Sequence, residues 1–79
     1  MHNVIIYSTP VCPYCAMAKL FFNERNIKFT DKNVAGDPAN TAEMIEKSGQ
    51  LGVPVIQIDD NILIGYDKNT VSKLLGIQE

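Results

Sequence analysis

With 79 residues, 46% of them hydrophobic, and 7 Lys and Arg against 9 Asp and Glu for a net charge of −2, the chain has the makeup of one small packed domain. That balance excludes a disordered tail and, with no basic stripe, a nucleic-acid binder. No stretch approaches the ~20 apolar residues of a membrane span, and Met1-His2-Asn3 with its short apolar run is not a charged leader, so a cytoplasmic protein with no membrane partner is expected.

Val4-Ile5-Ile6-Tyr7 is a continuous β-branched run stopped by Ser8-Thr9-Pro10, the pattern of a strand buried on both faces. Pro13 suits the first turn of a helix entered at Cys12, and Ala16, Met17, Leu20 and Phe21 recur at helical spacing as far as Arg25-Asn26. Met17, Leu20, Phe21 and Phe22 are expected to pack in the core. Residues 27–34 alternate apolar with polar, which predicts a second strand parallel to the first, reached by a right-handed crossover. Asp37-Pro38 opens the next helix, with Ala42, Met44 and Ile45 as its buried side and Ser48-Gly49 as its end. Residues 53–58 and 62–65 flank the turn-rich Asp59-Asp60-Asn61 and predict an antiparallel hairpin. A last helix starts near Asp67, carries Val71, Leu74 and Leu75, and stops at Gly76. The order β-α-β-α-β-β-α over a single domain, residues 1–79, predicts an α/β layer fold with helices on both faces of a four-stranded mixed sheet.

Both cysteines lie in Cys12-Pro13-Tyr14-Cys15. With Cys12 as N-cap and Cys15 as the third helical residue, the sulfurs share one face within bonding reach. In a reducing compartment a structural staple is not expected, so the pair does redox work or binds metal. Tetrahedral zinc needs more ligands, and His2 is the only histidine. A Cys-x-x-Cys where a strand passes into a helix, inside a βαβ pattern, reads as a thioredoxin-like redox motif. The free N–H groups and positive end of that helix favour a thiolate at Cys12, whereas Cys15 sits a turn inside. Cys12 is then the attacking thiolate and Cys15 the resolving thiol.

Elsewhere, Val53-Pro54 opens an apolar strand where a cis bond would make a tight turn, leaving the Val53 backbone free to pair with an extended cysteine-containing substrate. Gly65-Tyr66-Asp67 precedes a helix whose N–H groups suit a carboxylate, while Asp67 suits an amine. A ligand carrying both groups is an amino-acid-like terminus such as the γ-glutamyl end of glutathione. Asp67 serves equally as an N-cap. Lys19, Lys47 and Lys68 are expected to be solvated charges.

Over essentially its whole length the sequence resembles the glutaredoxins. The matching residues are Cys12-Pro13-Tyr14-Cys15, Lys19, Ser48-Gly49, Val53-Pro54 and Gly65-Tyr66-Asp67. The resemblance implies a thioredoxin-like fold, a cis peptide before Pro54, and reduction of protein disulfides and glutathione mixed disulfides. Cys12 and Cys15 would be the catalytic pair, and Tyr14, Val53, Pro54, Gly65, Tyr66 and Asp67 the glutathione site. No bound cofactor or metal is implied; glutathione is the co-substrate, disulfide-containing proteins are the partners, and the protein is a monomer. Two alternatives stand beside this. One is a glutaredoxin-like electron donor reduced by thioredoxin reductase. The other is an iron-sulfur cluster carrier using Cys12 and glutathione from two subunits, against which the bulk of Pro13 and Tyr14 weighs. The chain departs from the common family pattern at Thr9, where many dithiol members carry a lysine, at Gly52 in place of threonine, and at Ile64 and Lys68 in the last motif.

Overall fold

A computed structural model describes residues 3–76. β1 (Val4–Ser8) lies at the centre of a four-stranded sheet of order β2-β1-β3-β4. β2 (Thr30–Asn33) runs parallel to it, and β3 (Val55–Ile58) and β4 (Asn61–Ile64) form the antiparallel hairpin. Three helices, α1 (Pro13–Glu24), α2 (Pro38–Ser48) and α3 (Lys68–Leu75), complete the predicted β-α-β-α-β-β-α order.

Strand alternation sorts the core into two layers. Val4 and Ile6 of β1 and Ile56 and Ile58 of β3 face α1 and α3, where they meet Ala18, Phe21, Phe22, Val71 and Leu75. Tyr7 and Val55 point the other way and meet Met44 of α2. The sheet is thus covered on both faces. Helix ends follow local signals: Asp37 caps α2 through the amides of Ala39 and Asn40, and Gly49 closes it at φ 75, a left-handed conformation that glycine adopts without penalty.

Several expectations are corrected. β2 begins at Thr30 rather than at residue 27, because Asn26 turns left-handed at φ 56 and the Ile27 amide returns to the Phe22 carbonyl at 2.8 Å, so residues 27–29 are spent leaving the helix. Ile27 and Phe29 still pack against the α1–α3 layer. β3 begins at Val55, since Pro54 has no N–H to donate to a ladder. Met17 and Leu20 are not core residues but are 52% and 59% exposed; Cys15, Ala18, Phe21 and Phe22 take the inner strip of α1. Ala42 and Ile45 are exposed as well. The inner strip of α2 runs instead through Thr41, Met44 and Ser48, whose hydroxyls bond the carbonyls of Val34 and Met44 at 2.9 and 2.7 Å.

No helix among the described residues is long and apolar enough to cross a membrane.

Candidate active site

Cys12 occupies the N-cap of α1 in extended conformation and Pro13 takes the first helical position. The Cys15 amide, one of the helix's unpaired donors, points at the Cys12 sulfur across 3.1 Å. A tight turn holds the loop before it, with the Cys12 amide on the Thr9 carbonyl at 3.4 Å and the Ala16 amide on the Cys12 carbonyl at 3.2 Å. Both thiols are free; Cys12 is half-buried and Cys15 is 1% exposed. Burial pushes the Cys15 thiol up from 9.0 to about 11, and its hydrogen bond with Cys12 acts in the same direction. The Thr9 backbone and the Lys19 charge oppose that rise. The pair is therefore asymmetric: Cys12 stands toward solvent, and Cys15 is a buried thiol whose proton is held tightly.

Apart from Tyr14 on α1, the remaining predicted residues come from two other strand ends, the start of β3 and the end of β4. The antiparallel ladder of β1 and β3 ends at Tyr7↔Val55, so Val53-Pro54 enters β3 at the end of the sheet where β1 leaves for the turn into Cys12. The Val53–Pro54 peptide is cis; Pro54 is buried and Val53 half-buried. The Gly65 amide donates to the Pro54 carbonyl at 2.8 Å, which brings the Gly65-Tyr66-Asp67 segment against Val53-Pro54. Gly65 has φ 87, a conformation costly for any residue with a Cβ. Tyr66 packs its ring 6.1 Å from that of Phe21 in α1. Asp67 is the N-cap of α3: one carboxylate oxygen accepts from the Asn69 amide at 3.1 Å and the other from the Thr70 hydroxyl at 3.0 Å. It remains exposed, as does Tyr14 at 60%. The structure thus places the cysteine loop, Val53-Pro54 and Gly65-Tyr66-Asp67 at one end of the sheet.

Two polar clusters were not foreseen from the sequence. On the α1 face, Asp31 of β2 accepts the Ser8 hydroxyl at 2.7 Å with one oxygen and holds Lys19 at 2.7 Å with the other. On the α2 face, the buried Tyr7 hydroxyl donates to Glu43, which also binds Lys32 at 2.6 Å and has Lys47 at 3.9 Å. Lys47 further donates to Gln57 at 2.7 Å. Lys19 and Lys47 are therefore tied down rather than freely solvated. The only sequence signals were hydroxyls at inward strand positions, Tyr7 and Ser8, which need partners once buried. Among the described residues no group of three or more His, Cys, Asp or Glu could hold a metal ion, and His2 lies outside them.

The Glutaredoxin family model matches residues 4–63. An uncharacterized glutaredoxin-like 8.6 kDa protein in the rubredoxin operon of Clostridium pasteurianum is 49% identical over 70 residues, 89% of this chain and 93% of its own length. Glutaredoxin 3 of Escherichia coli K12 is 39% identical over 67 residues, 85% of this chain and 81% of its own. Among solved structures, the glutaredoxin-like protein NrdH-redoxin from Escherichia coli superposes with a TM-score of 0.78 at 25% identity, over 91% of this chain and 93% of that one; its structure accounts for a thioredoxin-like activity profile.

Proposed function

The chain belongs to the glutaredoxin family, and on that footing we propose that it is a glutathione-dependent dithiol oxidoreductase that reduces protein disulfides and glutathione mixed disulfides. Its family and fold are those of thiol-disulfide oxidoreductases. The observation that carries the reading is the hydrogen bond from the Cys15 amide to the Cys12 sulfur at the start of α1, which presents that sulfur, and not the buried Cys15, to an incoming disulfide.

In this reading the Cys12 thiolate attacks one sulfur of the substrate disulfide. A new bond forms to Cys12, the substrate S–S bond breaks, and its electron pair leaves on the other sulfur. Cys15 or a glutathione thiol then attacks Cys12 and releases the second half. Where Cys15 resolves, two glutathione molecules return the pair to thiols and leave as glutathione disulfide. Tyr14, the Val53 backbone with Pro54, and Gly65-Tyr66-Asp67 form the glutathione site. Their common placement beside Cys12 supports this, as does the exposed, negatively charged Asp67 at the start of α3. The enzyme works in the cytoplasm as a monomer with no bound cofactor.

Thr9 favours a second reading. It stands where a cation would help hold a glutathione carboxylate, and the likeness to a redoxin of thioredoxin-like activity points to reduction by thioredoxin reductase. Parallel coupled assays, one with glutathione and glutathione reductase and one with thioredoxin reductase, separate the two. Turnover in the first supports the glutathione reading; turnover only in the second replaces it.

A further inference from the structure

Ser8, Lys19 and Asp31 form a connected set that the exchange chemistry above leaves unused. Ser8 ends β1 on the α1 face at 1% exposure, and Asp31 lies opposite Ile6 on the neighbouring strand. Its two oxygens are both engaged at 2.7 Å, one by the Ser8 hydroxyl and one by the Lys19 ammonium. Engaged at both oxygens, the carboxylate draws the partly exposed lysine side chain back toward β2. Lys19 lies one turn beyond Cys15 on α1, and residues four apart share one strip of a helix. The titratable groups that act on Cys15 are Cys12 on its own helix and Lys19, with Asp31 of β2 behind the lysine. Of these, Lys19 is the one positive charge.

A buried thiol is a poor nucleophile while protonated, and the resolving step needs its thiolate. The geometry points to Lys19, pinned by Asp31 and Ser8, as the positioning residue that readies Cys15 for the resolving attack. The assignment rests on the dithiol exchange proposed above. In that step the Cys15 thiol gives its proton to water and its thiolate attacks the Cys12 sulfur of the mixed disulfide. The Cys12–Cys15 bond forms as the bond to the substrate sulfur breaks, and the electron pair leaves on that sulfur, which then takes up a proton. The two cysteines together lose two electrons and the substrate disulfide gains them. Lys19 keeps its proton throughout and supplies only its charge, which stabilises the anion at Cys15.

The test uses the Cys12→Ser protein, in which Cys15 is the single thiol, and follows thiolate ultraviolet absorbance as pH rises. Lys19→Met should move the Cys15 titration to higher pH, and Lys19→Arg, which keeps the charge, should return it close to the parent. In the dithiol protein Lys19→Met should slow reduction of a protein disulfide at neutral pH by about three- to fourfold for each pH unit of that displacement, because the scarcer thiolate is also the more nucleophilic one, with Lys19→Arg restoring most of the rate. An unmoved Cys15 titration in Lys19→Met, or an Arg variant as displaced as the Met variant, overturns the assignment. A parent protein that reduces no disulfide fails the exchange reading in its own assay, while the titration still decides the role of Lys19.

Discussion

The amide of Cys15 donates to the sulfur of Cys12 across 3.1 Å, so the residue that supplies the second thiol also steadies the first. The same arrangement buries the Cys15 side chain and raises its thiol to about 11. Burial likewise pushes the Tyr7 hydroxyl from 10.0 up to about 12, with its hydrogen bond to Glu43 adding to the rise. In both cases the folded protein holds the proton more tightly than the unfolded chain. Their contribution is therefore complete below pH 9.0 and is lost as pH rises, first through the Cys15 window from 9.0 to about 11 and then through that of Tyr7 from 10.0 to about 12. The urea midpoint of the reduced protein should fall across this range, and Cys15→Ser should flatten the earlier part. A midpoint constant to pH 11 would contradict the tight hold on the Cys15 proton.

Thr9 follows β1 at the entrance to the cysteine loop, where its carbonyl accepts the Cys12 amide at 3.4 Å. Thr9→Lys places a cation where a glutathione carboxylate would lie, and binding should tighten by about 0.5–1 kcal/mol for an exposed pair. The KM for glutathione in the coupled assay measures it. Unchanged KM would show that position 9 does not face the ligand.

Asp67 caps α3 and also carries the charge assigned to the glutathione amine. Asp67→Ala should cost about 0.5–2 kcal/mol of stability through the lost cap. Asp67→Asn keeps a good capping residue without the charge, so its urea midpoint should stay near the parent while its KM for glutathione rises. Parent-like KM in the Asn variant would reduce Asp67 to a cap.

Glu43 accepts the Tyr7 hydroxyl and the Lys32 ammonium with the same oxygen, on a face where Tyr7 is wholly buried. Glu43→Leu strands that hydroxyl and should destabilise the fold by about 1–3 kcal/mol. Adding Tyr7→Phe removes the stranded group and should recover much of the loss, giving a favourable coupling in a double-mutant cycle. Purely additive losses would show that the pair is not coupled.

Much of this architecture was legible because its signals are local. Cys12-Pro13, Asp37-Pro38 and Asp67 mark helix starts, and Gly49 and Gly76 mark ends, through groups within a few residues of one another. The stretch at residues 27–29 misled because its alternation mimics a strand, while the turn that forbids it rests on a left-handed asparagine, Asn26. Met17 and Leu20 misled because an apolar spacing was counted without the small Ala18, which lets α1 approach the sheet on its own strip. The polar clusters were illegible for a different reason. Ser8 finds Asp31 23 positions away and Tyr7 finds Glu43 36 positions away, so only the folded sheet brings them together. The cysteine motif itself was readable, but not the Lys19–Asp31 ion pair on the helix behind it.

The most direct test of the central claim is turnover of a glutathione mixed disulfide, with glutathione and glutathione reductase, by the parent, Cys12→Ser and Cys15→Ser. Cys12 as sole attacking thiolate predicts activity in the parent and in Cys15→Ser and none in Cys12→Ser, with dithiol reduction of a protein disulfide lost in both variants. Turnover that persists in Cys12→Ser, or a Cys15→Ser protein as inactive as Cys12→Ser, would contradict it.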